Sequence, residues 1–509
     1  MISYKSNNGM LVDFYNIIQL RSQIGALYPI DKVIDNCIKL GLHKSENLQI
    51  LFVDEILNYH LFLKFPISQK YIIRLIKILI SKIEDNRYQI SNELLGVFTK
   101  LISGKELIKY SIDNSINNHI ILEFIDYKLE FLIYKGNNKL KQEDKYKDLN
   151  KDYMINKGLD SKFYSSIYDR LPNYDLKEKV LSFIFKYQET NELGMRPWDA
   201  GIFLAERLIS TINDPERSVI GKDIIELGSG IGVAAIIASK LCSIRSICTS
   251  DYNFTIINNL KYNFSINGIL EDPNIQIYRN KEVEWYKWND EDDNKYNTEI
   301  KFNMINKDES EGILNKNLGN INNEISDNTF TNNYTKEDDI NLKFSSIYLD
   351  WETFNEKIAA NILKSRIRPL IMASDVIYDK KLNSLLVKTI QIFLSTGFKI
   401  LYGCNPPSLS LNNFSNNIFD SESPKYDKSI SNIKSDSLIW TDLPLVDYSK
   451  ANPYCMIINA IRCEDTLQDF VDKCYRNGLT VCRDPITIPR LFYYEVDIDT
   501  IITFIIYNN

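Results

Sequence analysis

The chain has 509 residues with a formal net charge of −7, of which 44% are hydrophobic and 25% charged. That balance fits globular folding, with room for two domains and linkers. The opening Met1-Ile2-Ser3-Tyr4-Lys5 has no basic stretch followed by a long apolar run, and the apolar segment 71–80 is broken by Arg74 and Lys77, so neither secretion nor membrane spanning is expected. The three histidines, His43, His60 and His119, all lie in the first quarter, which removes a histidine base, triad or metal ligand from everything after them. Eight cysteines without a Cys-x-x-Cys pair fit reduced thiols in cytosol or nucleus rather than a disulfide framework, and a cytoplasmic protein is expected.

Charge is unevenly placed. Residues 1–110 carry 14 Lys and Arg against 10 Asp and Glu, whereas residues 284–339 carry 6 against 14. The acidity sits in one segment and no stretch reads as a phosphate-binding stripe, so direct nucleic-acid binding is not expected.

In chain order, the spacing after Pro66 predicts a helix with Lys70, Arg74, Lys77 and Ser81 on its wet face. A second helix is predicted over 92–102, with Ser91 as N-cap and Leu94, Leu95, Phe98, Leu101 and Ile102 pointing one way. These patterns predict a small all-helical N-terminal domain over 1–135. Residues 136–158 are almost entirely polar and predict a linker. Two further polar stretches, 286–341 and 408–450, read as insertions hanging from loops.

The remainder, 159–509, alternates β-rich runs with helical stretches and predicts a mostly parallel sheet flanked by helices. Seven strands are expected, at 223–227, 246–250, 345–349, 369–374, 454–460, 479–482 and 500–507. An eighth strand-like run, 398–402, is placed outside the core, because 454–460 is followed directly by a helix at 464–476.

The strongest local signal is Asp223-Ile-Ile-Glu226-Leu-Gly228-Ser229-Gly230-Ile-Gly232, a strand entering a glycine turn and then a helix over 233–241. Glycines there let the backbone approach a ligand closely. The third glycine comes one residue too early for a dinucleotide fingerprint. The pattern suits a phosphate-free ligand held by its amino-acid end, with Glu226 near the turn to meet an ammonium group. Asp251, 23 residues past Gly228 at the end of the next strand, can accept hydrogen bonds from ribose hydroxyls. Trp351 can stack on an adenine ring. Asp375 and Tyr378 follow the fourth strand, where ligands gather at carboxyl ends of strands; Asp375 could equally cap the next helix. Upstream, Trp198 begins a helix through Asp199-Ala200.

Four ordered motifs, Trp198-Asp199-Ala200, Glu226 through Gly232, Leu349-Asp350-Trp351 and Asp375-Val-Ile-Tyr378, resemble the seven-strand protein-lysine methyltransferases. Within that family the likeness extends to the members that act on eukaryotic elongation factor 2, through Ile458-Asn-Ala-Ile-Arg462, Pro489-Arg-Leu-Phe-Tyr493-Tyr-Glu495 and the N-terminal Phe65-Pro66-Ile-Ser-Gln-Lys70-Tyr71. The resemblance implies a seven-strand Rossmann-like class I methyltransferase domain and S-adenosylmethionine as cofactor. It implies cofactor contacts from Trp198, Glu226, Gly228, Ser229, Gly230, Gly232, Asp251, Trp351 and Ser374. Asp375 and Tyr378 then form the catalytic, lysine-facing edge, with no metal. Its implied partner is a protein substrate, elongation factor 2, met by a monomer. Ser374 stands where the family usually has Ala. A silent scaffold of the same fold, or a methyltransferase acting on RNA or a small molecule, are the alternatives; Asn405-Pro406-Pro407 reads as a turn, not as an RNA-enzyme motif.

Overall fold

A computed structural model describes residues 3–5, 11–103, 118–125, 174–175, 180–189, 192–271, 343–364, 366, 368–403, 442–495 and 497–508. The expected linker at 136–158, the insertion at 286–341 and residues 408–441 of the other insertion lie outside them.

The N-terminal region contains helices α1 (Phe14–Gly25), α2 (Ile30–Lys39), α3 (Glu46–Phe52), α4 (His60–Lys64), α5 (Gln69–Asp85) and α6 (Asn92–Ile102). Serine caps start the two helices that the sequence predicts. Ser68 Oγ accepts the Tyr71 N–H at 3.4 Å and Ser91 Oγ accepts the Leu94 N–H at 3.3 Å, each satisfying one of the orphan donors of a first turn. On α5 the side chains of Leu75, Ile76, Leu79, Ile80 and Ile83 are buried while Lys70, Arg74, Lys77 and Ser81 are exposed. Helix α6 departs from expectation. Leu94 is buried, but Leu95 and Ile102 are 46% and 60% exposed, because they follow Leu94 and Leu101 by one residue, about 100° around the helix axis.

The region is not all-helical. Short strands β1 (Ser3–Lys5) and β2 (Leu11–Asp13) pair with each other. Strand β3 (Asn118–Ile125) pairs antiparallel with β5 (Val180–Tyr187), whose other edge carries the two-residue β4 (Tyr174–Asp175). A β-rich run finds its partner here more than 50 positions away, which local periodicity does not reveal.

The main sheet has seven strands, as expected: β6 (Asp223–Leu227), β7 (Ser246–Asp251), β8 (Lys343–Tyr348), β9 (Pro369–Ser374), β10 (Tyr454–Ala460), β11 (Leu479–Arg483) and β12 (Ile501–Asn508). Their order is β11-β12-β10-β9-β6-β7-β8. All neighbours are parallel except β12, which runs antiparallel between β10 and β11. The central strands are buried along nearly their whole length, the pattern of a sheet covered on both faces. One face packs on α7 (Asp199–Ser210) and α8 (Val233–Leu241), with α9 (Phe254–Ile266) along the β7–β8 end. The other packs on α10 (Glu356–Leu363), α11 (Lys380–Tyr402) and α12 (Glu464–Arg476).

The strand-like run 398–402 is the last turn of α11. Its aromatic residues pair at helical spacing, with Phe398 and Tyr402 rings 4.5 Å apart. Helix α11 is long and apolar enough to cross a membrane, yet Leu386, Val387, Ile390, Phe393 and Leu394 are buried against the sheet. Residues 442–450, expected to belong to a hanging insertion, return to the core: Leu443 is buried and Leu445 bridges Arg483.

Candidate active site

The carboxyl ends of β6, β7 and β9 meet around residues 226–232. Three internal bonds fix this turn. Ser229 Oγ donates to the Glu226 carbonyl at 3.3 Å, the Ser250 N–H donates to Ser229 Oγ at 3.2 Å, and Ser250 Oγ donates to the Glu226 carbonyl at 2.8 Å. Gly230 has φ +54 and a Cβ there would lie 3.1 Å from the Gly194 carbonyl oxygen; Gly232 has φ +84 and its Cβ would lie 2.3 Å from Leu260 Cδ1. Both positions favour glycine by their positive φ, and at Gly230 the Gly194 backbone leaves little room for a side chain.

Glu226 is 2% exposed, and its Oε2 has no hydrogen-bond partner among the described residues. Burial pushes its carboxyl up to about 8, with Ser229 opposing and Asp251 adding repulsion. An unsatisfied buried carboxylate is costly, and an ammonium donor would satisfy it. Asp251, at the end of β7, accepts the Gly230 N–H on Oδ2 at 3.1 Å and the Tyr252 N–H on Oδ1 at 2.9 Å. Burial raises this carboxyl to about 6 against those N–H groups. Its two oxygens retain lone pairs for further donors. Half-buried Trp351 borders the same turn: a Cβ on Gly228 would lie 3.0 Å from Val376 Cγ1 and 3.9 Å from Trp351 Cζ2. These groups fit a ligand that joins an ammonium end, a diol and a flat ring.

On the far side of β9, Asp375 sits at φ +53, a region that Asp tolerates better than most residues. It does not offer the open carboxylate that an incoming ammonium would need. Oδ1 accepts the Ala460 N–H at 2.9 Å and Arg462 Nη1–H at 2.8 Å, while Oδ2 accepts Arg462 Nη2–H at 3.0 Å. Nor does it cap α11; Asp379 does, accepting the Lys381 N–H at 2.8 Å. Arg462 also lies over the Trp198 ring, 5.0 Å from its centroid, and the indole N–H donates to the Leu193 carbonyl at 2.9 Å. Ser374 faces α7, since a Cβ on Gly201 would lie 3.4 Å from Ser374 Oγ.

Tyr378 is 46% exposed. Burial raises its phenol, with Tyr252 and Asp251 adding to the shift, and it follows Ile377, whose N–H and carbonyl Asn459 holds. The expected residues thus form two adjoining groups, Glu226, Gly228, Ser229, Gly230, Asp251 and Trp351 in one, Trp198, Ser374 and Asp375 in the other, with half-exposed Tyr378 three residues beyond Asp375. Gly232 stands behind the first, packed on α9.

Three site residues carried no assigned role in the sequence. Arg462, two positions beyond β10, holds Asp375. Asn459 clamps the 375–378 turn, accepting the Ile377 N–H at 3.0 Å and donating to the Ile377 carbonyl at 3.3 Å; an amide inside an otherwise apolar strand was its only signal. Asp199, the first residue of α7, is raised to about 6 by burial and by Asp375, with Arg462 and Arg490 opposing.

Residues 177–305 match the family model described as lysine methyltransferase. The chain is 33% identical over 79 residues to an uncharacterized protein of Dictyostelium discoideum, covering 16% of this chain and 21% of that protein. It is 31% identical over 84 residues to the mouse protein-lysine N-methyltransferase EEF2KMT, and 29% identical over 82 residues to the human one. In both cases 16% of this chain aligns with 24% of the relative. The matched segments therefore span about a quarter or less of these relatives.

Proposed function

We propose that this chain, which carries a domain of the lysine methyltransferase family over residues 177–305, transfers a methyl group from S-adenosylmethionine to a lysine of a protein substrate. The substrate proposed is eukaryotic elongation factor 2, met by a monomer in the cytoplasm. The observation that carries the reading is the unpartnered, buried Glu226 oxygen beside a glycine turn and Asp251. Glu226 would take the cofactor's ammonium, Asp251 its ribose hydroxyls and Trp351 its adenine ring. When bound, the cofactor supplies an electrophilic methyl on a sulfonium.

The protein's task is then to position a neutral amine and exclude water. A lysine held neutral at that methyl would need only to be aimed and kept dry, its proton passing to solvent. Asp375, locked by Arg462, fixes the turn that carries half-exposed Tyr378 to the rim where the lysine enters. The likeness to two proteins named EEF2KMT supports elongation factor 2. Incubation of the purified full chain with methyl-labelled cofactor and eukaryotic lysate should label one protein of the factor's mass, on a lysine identified by mass spectrometry. Label in RNA would reverse the substrate class, and no binding of cofactor or its demethylated product in calorimetry would end the enzymatic reading.

A further inference from the structure

The segment before α7 is fastened to the glycine turn. Its short 3₁₀ turn, Leu193–Met195, packs so closely on Gly230 that a Cβ there would lie 3.1 Å from the Gly194 carbonyl oxygen, and a Cβ on Gly194 itself would lie 2.4 Å from Ile256 Cδ1 of α9. Glu192 accepts the Asn253 amide N–H at 3.2 Å, and the Gln188 N–H donates to the Met195 carbonyl at 2.9 Å. Interiors packed this closely transmit a displacement rather than absorb it.

Trp198 is tied to the same segment. Its indole N–H donates to the Leu193 carbonyl at 2.9 Å, and its ring carries the Arg462 guanidinium 5.0 Å from the centroid. From there Arg462 reaches Asp375 through both Nη groups, at 2.8 and 3.0 Å, its own side chain 44% exposed and that of Asp375 3% exposed. Bidentate pairing fixes direction as well as distance. The Asp375 N–H donates to the Ile458 carbonyl and Oδ1 accepts the Ala460 N–H, both at 2.9 Å. The turn 375–378 is therefore joined to β10 directly, and to segment 192–198 through Arg462 and Trp198.

We propose that Arg462 is a positioning residue for methyl transfer, holding the 375–378 turn and its Tyr378 in register with the segment that packs on the glycine turn. This rests on lysine methylation being the activity. Arg462 touches neither the amine nor the methyl; it sets the spacing between the lysine-facing turn and the cofactor end of the site, and Asp375 belongs to the same unit as the acceptor of its guanidinium. In-line transfer is steep in that spacing, an error of about 1 Å costing on the order of 100-fold.

The test uses the full chain, methyl-labelled cofactor and purified elongation factor 2, or whichever lysate protein the wild type labels, at a temperature where every variant is folded. Arg462→Gln should lower kcat by about 10- to 100-fold. Calorimetry should give it unchanged affinity for the demethylated cofactor, because segment 192–198 keeps its own bonds to the glycine turn. Arg462→Lys, which keeps the charge but not the planar fork, should recover part of the loss. In a Tyr378→Ala background, Arg462→Gln should cost no more than about threefold, since the side chain it positions is gone. Amide hydrogen exchange in Arg462→Gln should quicken at Asp375 and Ile377 and stay unchanged at Gly230. Wild-type kcat in Arg462→Gln, or the same fold-loss with and without Tyr378, would overturn this role and leave methylation standing. So would a loss that disappears when each variant is assayed the same interval below its melting midpoint. A wild type that binds no cofactor and labels no protein would instead overturn the proposed function and this role with it.

Discussion

Glu226 combines two properties that oppose each other, near-complete burial and an oxygen without a partner among the described residues. Its carboxyl, raised to about 8 from an ordinary 4.5, holds a proton in the folded chain that the unfolded chain releases. The corresponding stability is therefore present in acid and is lost as pH rises through that window. Glu226→Gln should flatten this decline in thermal melts of the protein alone. If Glu226 meets an ammonium, the same substitution should weaken cofactor binding by about 10- to 100-fold, and wild-type affinity measured by calorimetry should rise across about pH 8. Arg462 offers a contrasting case. Arg462→Ala leaves the Asp375 carboxylate buried without its guanidinium, and a loss of about 1–3 kcal/mol is expected in denaturant unfolding, less than for a fully buried pair because the arginine is 44% exposed. The glycine turn, Asp251 and Trp351 were legible as residues because their chemistry lies at strand ends that periodicity locates. Arg462 and Asp199 were not, because their significance is that they lie near Asp375, which no spacing along the chain encodes.

At the scale of elements, α9 bonds one edge of a strand. Among the described residues β4 pairs with Val180 and Leu181 of β5, and side-chain amides at the end of α9 meet the strand farther along. Asn267 accepts the Ile184 N–H at 3.0 Å and donates to its carbonyl at 2.6 Å, and Asn263 accepts the Lys186 N–H at 2.8 Å. Asn263 also donates to the Ile231 carbonyl at 3.0 Å, so the same helix ties the β5 edge to the glycine turn. An exposed edge is a liability that side-chain amides here remove. Asn267→Ala strands two buried backbone groups and should cost about 1–3 kcal/mol, measured by chemical denaturation, with amide exchange accelerated at Ile184. Ser91→Ala, which removes only a cap, should cost about 1 kcal/mol.

Across the whole molecule, α7 joins the parts. Glu206, one of its buried residues, accepts the N–H groups of Leu491 and Phe492 at 2.6 and 2.9 Å and the Tyr494 hydroxyl at 2.6 Å. Arg207 pairs with buried Asp484, which also accepts from Arg217 and from the Tyr448 hydroxyl. Burial alone would raise the Asp484 carboxyl, but Arg217, Arg207 and Tyr448 outweigh it and hold it below the usual range. Its contribution to stability is thus full at neutral pH and lost as pH falls below the ordinary carboxylate range. Asp484→Ala leaves the Arg207 guanidinium buried and unpaired, and a cost of about 3–5 kcal/mol is expected in urea unfolding at neutral pH. The N-terminal region meets the C-terminal run through Lys32–Glu495 and the edge-on Tyr28–Tyr493 contact, around a cavity that Arg490 and Tyr494 also line.

The sequence by itself determined the seven main strands, the capped helices α5 and α6, and the ordered glycine and acidic motifs, because period, capping and strand-end chemistry are local properties. The tertiary structure decided that 398–402 extends a helix, that β3 leaves the helical region to pair with β5, and that the Asp375 carboxylate is already held by Arg462. Each of these depends on which distant segment supplies the partner, and a carboxylate's availability is set by what has already been brought against it.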